Sequence, residues 1–400
     1  MAVLNDDGII ILKQNILTKE WHPYGTKNNG NVISKAELVQ YTGVNWEDMM
    51  GGPNRLTTHL TLSSDGTRLL WYITYLQDSS SSGKAIIFEI QDQDENFHDT
   101  GSWNRVGHTL TLSESPGGSE SRKYGPIVAY ARTNGNKIIS GVTQGLKHCA
   151  IVCELQGDEW NLIHDEITWY GLEDVVNSGL QDPVQTVGDI IFDPMFGASV
   201  AITGEGDAVA IASPKAGTIF DGGNDEGKVE VYRPGTSIRG ATWKQVGSDM
   251  SGEFAKNEFG IVSISEMGHR IVVGTPNESA NKPGSVAVFQ YTNGGWFHID
   301  TVYEARQGGL FGQMVTISPD GSIFAAVAPK DGRTCMYNIF KQITVQIGEC
   351  IEDGAPGRNY QQYSISLSSD GKLLAIGTPL NDSGDSGGHV KLYRARRTQD

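Results

Sequence analysis

The chain has 400 residues, among them 50 glycines, with 38% hydrophobic and 8% aromatic residues and a formal net charge of −16. That charge argues against a nucleic-acid binder, whose affinity rests on Lys and Arg neutralising phosphates, and against docking on an anionic membrane. No apolar run is long enough to cross a bilayer as a helix, and residues 1–20 lack the basic-then-apolar pattern of a secretory signal.

One phrase recurs along the chain: an apolar alternating run, a tight Ser/Asp/Gly turn, a second apolar run, then Gly-x-Pro or its remnant. It begins at Val3-Leu4-Asn5-Asp6-Asp7-Gly8-Ile9-Ile10-Ile11 and returns as Leu60-Thr61-Leu62-Ser63-Ser64-Asp65-Gly66 before Leu69-Leu70-Trp71-Tyr72-Ile73. Ile127-Val128-Ala129-Tyr130 then turns at Asn134-Gly135 into Ile138-Ile139, and Val200-Ala201-Ile202 turns at Gly204-Glu205-Gly206 into Val209-Ala210-Ile211. Ile261-Val262-Ser263-Ile264 leads to Ile271-Val272-Val273-Gly274-Thr275-Pro276, and the clearest copies start at Val315 and Ile365, with turns Ser318-Pro319-Asp320-Gly321 and Ser368-Ser369-Asp370-Gly371. Repeat starts near 1, 59, 127, 198, 261, 314 and 364 give a period of roughly 60 residues, close to the range where fixed spacing means stacked or radial units.

Each unit continues through a polar Gly-rich loop into a third strand, as in Val229-Glu230-Val231-Tyr232, Val286-Ala287-Val288-Phe289 and Val390-Lys391-Leu392-Tyr393. A fourth run carries Trp, as in Trp103-Asn104-Arg105-Val106-Gly107 and Trp243-Lys244-Gln245-Val246-Gly247, with Trp160 and Trp296 in less regular copies. Four short antiparallel strands per repeat predict an all-β fold, a single β-propeller spanning residues 1–400. The second strand is nearly all apolar, as expected when adjacent blades cover both its faces, and polarity rises outward. Atypical segments fall near 27–58 and 156–195. In the longer one Tyr170, Leu172, Val175 and Val176 suggest a short helix or an extended cover. The period favours seven blades. A six-blade alternative uses Trp21-His22-Pro23-Tyr24-Gly25 as the outer strand of the C-terminal unit, which otherwise ends after its third strand.

Phe196-Gly197, Phe259-Gly260 and Phe311-Gly312, with the weaker Tyr124-Gly125, precede first strands, and Pro214, Pro276 and Pro329 follow the second strands. This resembles the FG-GAP repeat, the blade of integrin alpha-subunit heads, and the Ser-Pro-Asp-Gly turn is shared with WD-type and TolB-type propeller blades. The resemblance covers most of residues 59–395 and implies a binding propeller. Its calcium sites do not carry over, because the Asp-rich loop between first and second strands is replaced here by tight turns with no room for six or more oxygen ligands.

Other motifs fail on context. Gly384-Asp385-Ser386-Gly387-Gly388 has the protease nucleophile pattern but sits in a blade loop without the His segment such an enzyme needs. Gly222–Lys228 has phosphate-loop spacing, yet Val229 stands where a metal-binding Ser or Thr belongs and a strand follows. Asp221 with Asp225, and Asp382 with Asp385, are weak candidates for a hard cation such as calcium, and no other cofactor is expected. The sequons Asn277-Glu278-Ser279 and Asn381-Asp382-Ser383 mark equivalent exposed loops. Of four cysteines, Cys149 and Cys153 would stand roughly 13 Å apart along a strand, too far to bond. Cys335 and Cys350 lie on neighbouring strands and are able to pair, although buried thiols are the default expectation. With no coherent catalytic constellation, the sequence suggests a non-catalytic binding or scaffold module. It would engage a protein or glycan through face loops bearing Asn277, Lys282, Lys330, Asp331, Asn381 and Asp382. The alternatives are a carbohydrate-active hydrolase or lyase with carboxylates at the channel mouth, and a structural subunit of a larger assembly.

Overall fold

A computed structural model describes residues 1–5, 8–14, 21–23, 33–45, 57–77, 80–91, 102–112, 128–144, 147–164, 166–168, 195–216, 226–237, 240–252, 259–276, 284–303, 309–352, 364–378 and 389–395. Its strands form seven antiparallel sheets, the blades of a seven-bladed β-propeller. First strands run at Ala2–Asn5, Thr57–Leu62, Val128–Tyr130, Ser199–Ile202, Ile261–Ile264, Met314–Ile317 and Ser364–Leu367, and we number the blades 1 to 7 in that order. Within blades 2 to 6 the first four strands follow one another across the sheet in sequence order, joined as hairpins, and in blades 3, 4 and 6 a short fifth strand pairs back onto the third. Blade 7 has three described strands, ending at His389–Arg394.

The six-blade alternative fails on pairing. Trp21–Pro23 does not complete the C-terminal unit; it pairs with Leu12, Lys13 and Gln14 of the second strand of blade 1. In the segment near 27–58 the described residues hold a helix, Lys35–Thr42, started by a reciprocal cap. The Glu37 carboxylate accepts the Ser34 amide at 2.9 Å, and Glu37 donates its own amide to Ser34 Oγ at 3.4 Å. The helix buries Leu38 against the seam of blades 1 and 2. Of the segment near 156–195, the described part forms the outer strand Glu159–Leu162 and a short return, Ile167–Thr168, that pairs with Cys149 and Ala150. Tyr170, Leu172, Val175 and Val176 lie outside the described residues.

The core is a set of seams between blades, because a second strand sends alternate residues to opposite neighbours. Ile138 packs toward blade 2 with Leu70, Tyr72 and Ile87. Next to it, Ile139 packs toward blade 4 with Phe196, Val209 and Ile211. Ala210 and Ala212 then face blade 5 with Phe259 and Val273, while Val272 faces blade 6 with Phe311 and Phe324. This two-sided burial is why the second strands read as unbroken apolar runs.

The Phe-Gly and Gly-x-Pro residues belong to the same seams. A methyl group on Gly274 would overlap the carbonyl oxygen of Gly312 in the next blade, and one on Gly141 would overlap that of Gly197. Gly227 and Gly284 meet the carbonyls of Phe259 and Phe311 in the same way. The Phe-Gly peptide is thus a wedge laid on the preceding blade. Phe196, Phe259 and Phe311 are buried, and Gly197 and Gly312 have φ of 86° and 90°, where a side chain is strained.

The outer strands lock the rim. Trp160 Nε1 donates to the His108 carbonyl of blade 2 at 2.9 Å, and Trp243 Nε1 donates to the Ile163 carbonyl of blade 3 at 3.1 Å. Gly247, closing the Trp-x-x-x-Gly run of blade 4, lies flat against Trp296 of blade 5. The recurrent Trp is therefore a tie between blades.

Candidate functional site

The two ends of the central channel differ. At one end the hairpin turns between first and second strands converge. In blade 6 the turn is wired internally: Ser318 Oγ donates to Asp320 Oδ1 at 2.6 Å, and the carboxylate accepts the Ser322 amide at 3.0 Å. Ser63 with Asp65 and Ser368 with Asp370 repeat the pattern. Burial alone would raise the carboxyl pKa of Asp65 and Asp320, but these hydrogen bonds outweigh it and hold both below the usual range; in Asp370 the Ser368 bond is the leading cause of the same shift. The carboxylate oxygens here serve the turn, and among the described residues no cluster of His, Cys, Asp or Glu is arranged to hold a metal ion.

The turns are also bonded to one another in order around the axis. Ser64 donates its amide to the Arg132 carbonyl at 2.8 Å, Thr133 to Gly204 at 2.9 Å, Gly204 to Glu266 at 3.0 Å and Glu266 to Pro319 at 3.1 Å. Glu266 bridges this end with its side chain. Its Oε1 accepts the Ser64 hydroxyl at 2.8 Å and stands 3.7 Å from Arg132 Nη1, so blade 5 reaches back to blades 2 and 3. A single residue, through backbone and side chain, touches blades 2, 3, 4 and 6. Nothing in the turn motif signals this contact, because Ser64 and Glu266 are 202 residues apart.

Above that floor, His59 stands on the first strand of blade 2. Its ring stacks on Tyr72 with centroids 6.3 Å apart, and burial pushes its pKa down to about 4, so the imidazole is neutral at pH 7. It is half-buried on the innermost strand, enclosed by protein yet touched by solvent. No sequence motif marks this histidine, and only its place on the innermost strand distinguishes it.

The opposite end carries the loops between second and third strands. Lys330 and Asp331 form a tight turn there in blade 6: the Asp331 amide donates to the Ala328 carbonyl at 3.1 Å, and the Lys330 amide donates to Gly309 at 3.2 Å. This second bond ties the turn to the segment entering the blade. Asp331 Oδ2 is enclosed without a hydrogen-bond partner, an acceptor held in place on this face. Asn277, Lys282, Asn381 and Asp382 lie outside the described residues, as do the weak cation candidates Asp221, Asp225 and Asp385, so the structure brings together only Lys330 and Asp331 of the expected set.

A third polar group sits in the seam of blades 3 and 4. Lys228 Nζ lies 3.0 Å from Glu230 Oε1 and 2.8 Å from Asp249 Oδ2. Burial raises the Glu230 carboxyl pKa despite this partner. Sequence reasoning passed over this cluster because the three residues alternate with core positions.

The fold defines the class, a seven-bladed propeller whose turn end is bridged from blade 5 to blades 2 and 3. No family model matches the chain, so the FG-GAP likeness rests on its Phe-Gly and turn residues alone, and no curated protein matches it either. Solved structures do match. A protein from Lactobacillus plantarum is 14% identical and aligns over 98% of this chain and 91% of its own, with a TM-score of 0.50. The periplasmic gluconolactonase PpgL of Pseudomonas aeruginosa is 12% identical over 99% of this chain and 98% of its own, also at 0.50. TolB from Acinetobacter baumannii aligns at 12% identity over 98% of this chain and 76% of its own, with a TM-score of 0.38. At such identities the two alignments at 0.50 show the propeller fold alone. No helix among the described residues is long and apolar enough to cross a membrane.

Proposed function

We propose that the chain is a non-catalytic binding module that engages a protein or glycan partner through the second-to-third strand loops of one propeller face. The observation that supports this reading is the bridged turn end: Glu266, Ser64 and Arg132 tie the turns of blades 5, 2 and 3 together, which leaves the opposite face as the one with loops free to vary. Loops on a rigid ring are free to vary without disturbing the seams, which suits recognition. The placement is tested by replacing Asn277, Lys282, Lys330, Asp331, Asn381 and Asp382 with Ala and measuring capture of partners and glycans from the source. Capture should be lost with thermal stability unchanged; full retention sinks the placement.

A second reading has one observation in its favour. The imidazole of His59 on the inner strand is neutral at pH 7 and able to accept a proton, as a weak base because burial holds its pKa at about 4. The fold likeness to a gluconolactonase makes small carbohydrate lactones a sensible first panel beside polysaccharides. Turnover that disappears in His59→Ala, with a folded ring, would replace the binding reading with the hydrolase one.

A further inference from the structure

Cys335 and Cys350 are joined by a disulfide, against the default expectation of buried thiols. The pairing arises because the chain, after the outer strand Ile343–Gln346, doubles back and lays Ile351–Glu352 along Thr334 and Arg333 of the third strand. Other bonds along the strap are local: Gln346 Nε2 donates to the Gly348 carbonyl at 2.9 Å. Ile347 donates its amide to the Met336 carbonyl at 2.8 Å, two residues pair at its end, and Arg333 Nε stands 4.0 Å from Glu352. Yet Ile347 and Ile351 pack into the seam with Leu367, Leu374 and Ile376 of blade 7. The strap is thus both the path to blade 7 and part of the surface blade 7 rests on.

The other two cysteines do not compete. Cys149 and Cys153 are buried in the seam of blades 2 and 3, and burial pushes the Cys153 thiol up to about 11, away from the reactive thiolate. Of the bonded pair, Cys335 is 3% exposed whereas Cys350 is half-buried at the edge of its cluster.

We propose that the Cys335–Cys350 disulfide is a redox-sensitive latch, acquired in an oxidising compartment, whose reduction releases the strap Ile347–Glu352 and loosens blade 7. In the step, a dithiol thiolate attacks Cys350 Sγ, the S–S bond breaks and Cys335 leaves as thiolate. The second thiol of the reductant then resolves the mixed disulfide, so two protein thiols form and the dithiol is oxidised to its cyclic disulfide.

The test uses the full chain purified without reductant. Alkylation in denaturant followed by intact mass should label two cysteines before reduction and four after. Hydrogen exchange with and without dithiothreitol should then show amides of residues 347–352 and 364–378 exchanging at least tenfold faster on reduction. The turn ring at 263–270 should not change. Cys350→Ser should show the fast pattern with no response to dithiothreitol; should it fail to fold, the wild-type comparison still decides. Labelling of all four cysteines without reductant, in protein made in an oxidising compartment, overturns the proposal. So does a strap whose exchange is indifferent to reduction.

Discussion

Replacing Gly274 with Ala tests whether the Phe-Gly wedge sets the blade spacing. Gly274 does not have a positive φ, so the substitution carries no backbone strain and its effect is steric. The new methyl group would overlap the Gly312 carbonyl, and ordinary contact begins near 3.4 Å, so blades 5 and 6 must part by more than an ångström. The seam they share buries Phe311, Phe324 and Val286 almost completely, and a packed backbone has no slack to give. Overpacking with partial loss of seam contacts predicts a cost of about 3–5 kcal/mol. Gly348→Ala is the control: φ there is 65° with nothing within 4 Å, so only conformational strain of about 1–2 kcal/mol is expected. Urea denaturation followed by tryptophan fluorescence measures both. If Gly274→Ala costs no more than Gly348→Ala, the seam argument is wrong. Gly141→Ala, which meets Gly197 in the same way, should behave like Gly274→Ala.

Glu266→Ala removes the contacts to Ser64 and Arg132 but not the backbone bonds between turns, so a loss of about 1–2 kcal/mol is expected. Hydrogen exchange should quicken in the turns at 63–66 and 265–268, and unchanged protection there would show that the side chain closes nothing. Trp243→Phe keeps an aromatic ring but shortens it and leaves the Ile163 carbonyl without its 3.1 Å donor, a loss of about 1–3 kcal/mol, read from the same denaturation curves. His59 has a folded pKa of about 4 against 6.5 unfolded, so its neutral form contributes stability fully above pH 6.5 that is lost as pH falls toward 4. The ceiling is about 3 kcal/mol, and stability curves of wild type and His59→Gln should converge across that window. Parallel curves would mean the ring is not enclosed. Asp320, with its pKa held low, contributes stability above the ordinary carboxylate range that is lost as pH falls below it, and Asp320→Asn should flatten that acid limb.

The propeller is readable in the chain because each physical requirement of a blade leaves its own mark. Alternating apolar runs mark strands, Ser-x-Asp-Gly marks a turn that satisfies its own polar groups, and an unbroken apolar run marks a strand covered on both faces. The blade count needed the period rather than the termini: Trp21 looked like an outer strand of the last unit, and its actual partner Gln14 is a local choice. The helix at Lys35–Thr42 had a legible start in Ser34-Lys35-Ala36-Glu37, a capping box with no strong apolar stripe behind it. Contacts between distant blades leave no local mark. Glu266 is one turn residue among several, and its hold on Ser64 exists only once the ring has closed. The Cys335–Cys350 bond follows from the chain doubling back after Gln346, which a run of Ile-Gly-Glu-Cys does not announce.

The same reasoning separates residues that build the ring from residues that are free to serve it. A repeated Phe-Gly, Gly-x-Pro or Trp looks like a functional signature because it recurs, yet each one here fills a seam or ties a rim, and its recurrence follows from there being a neighbour to fit at every step. Features that occur once are under no such requirement. Glu266 at the turn end, neutral His59 on an inner strand and Asp331 in its second-to-third strand turn stand outside the repeated phrase. A substitution at a recurring position should therefore register first in stability, whereas one at Asp331 should register in binding with the ring intact. That split, measured on the same set of variants, decides whether this propeller acts through its mouth.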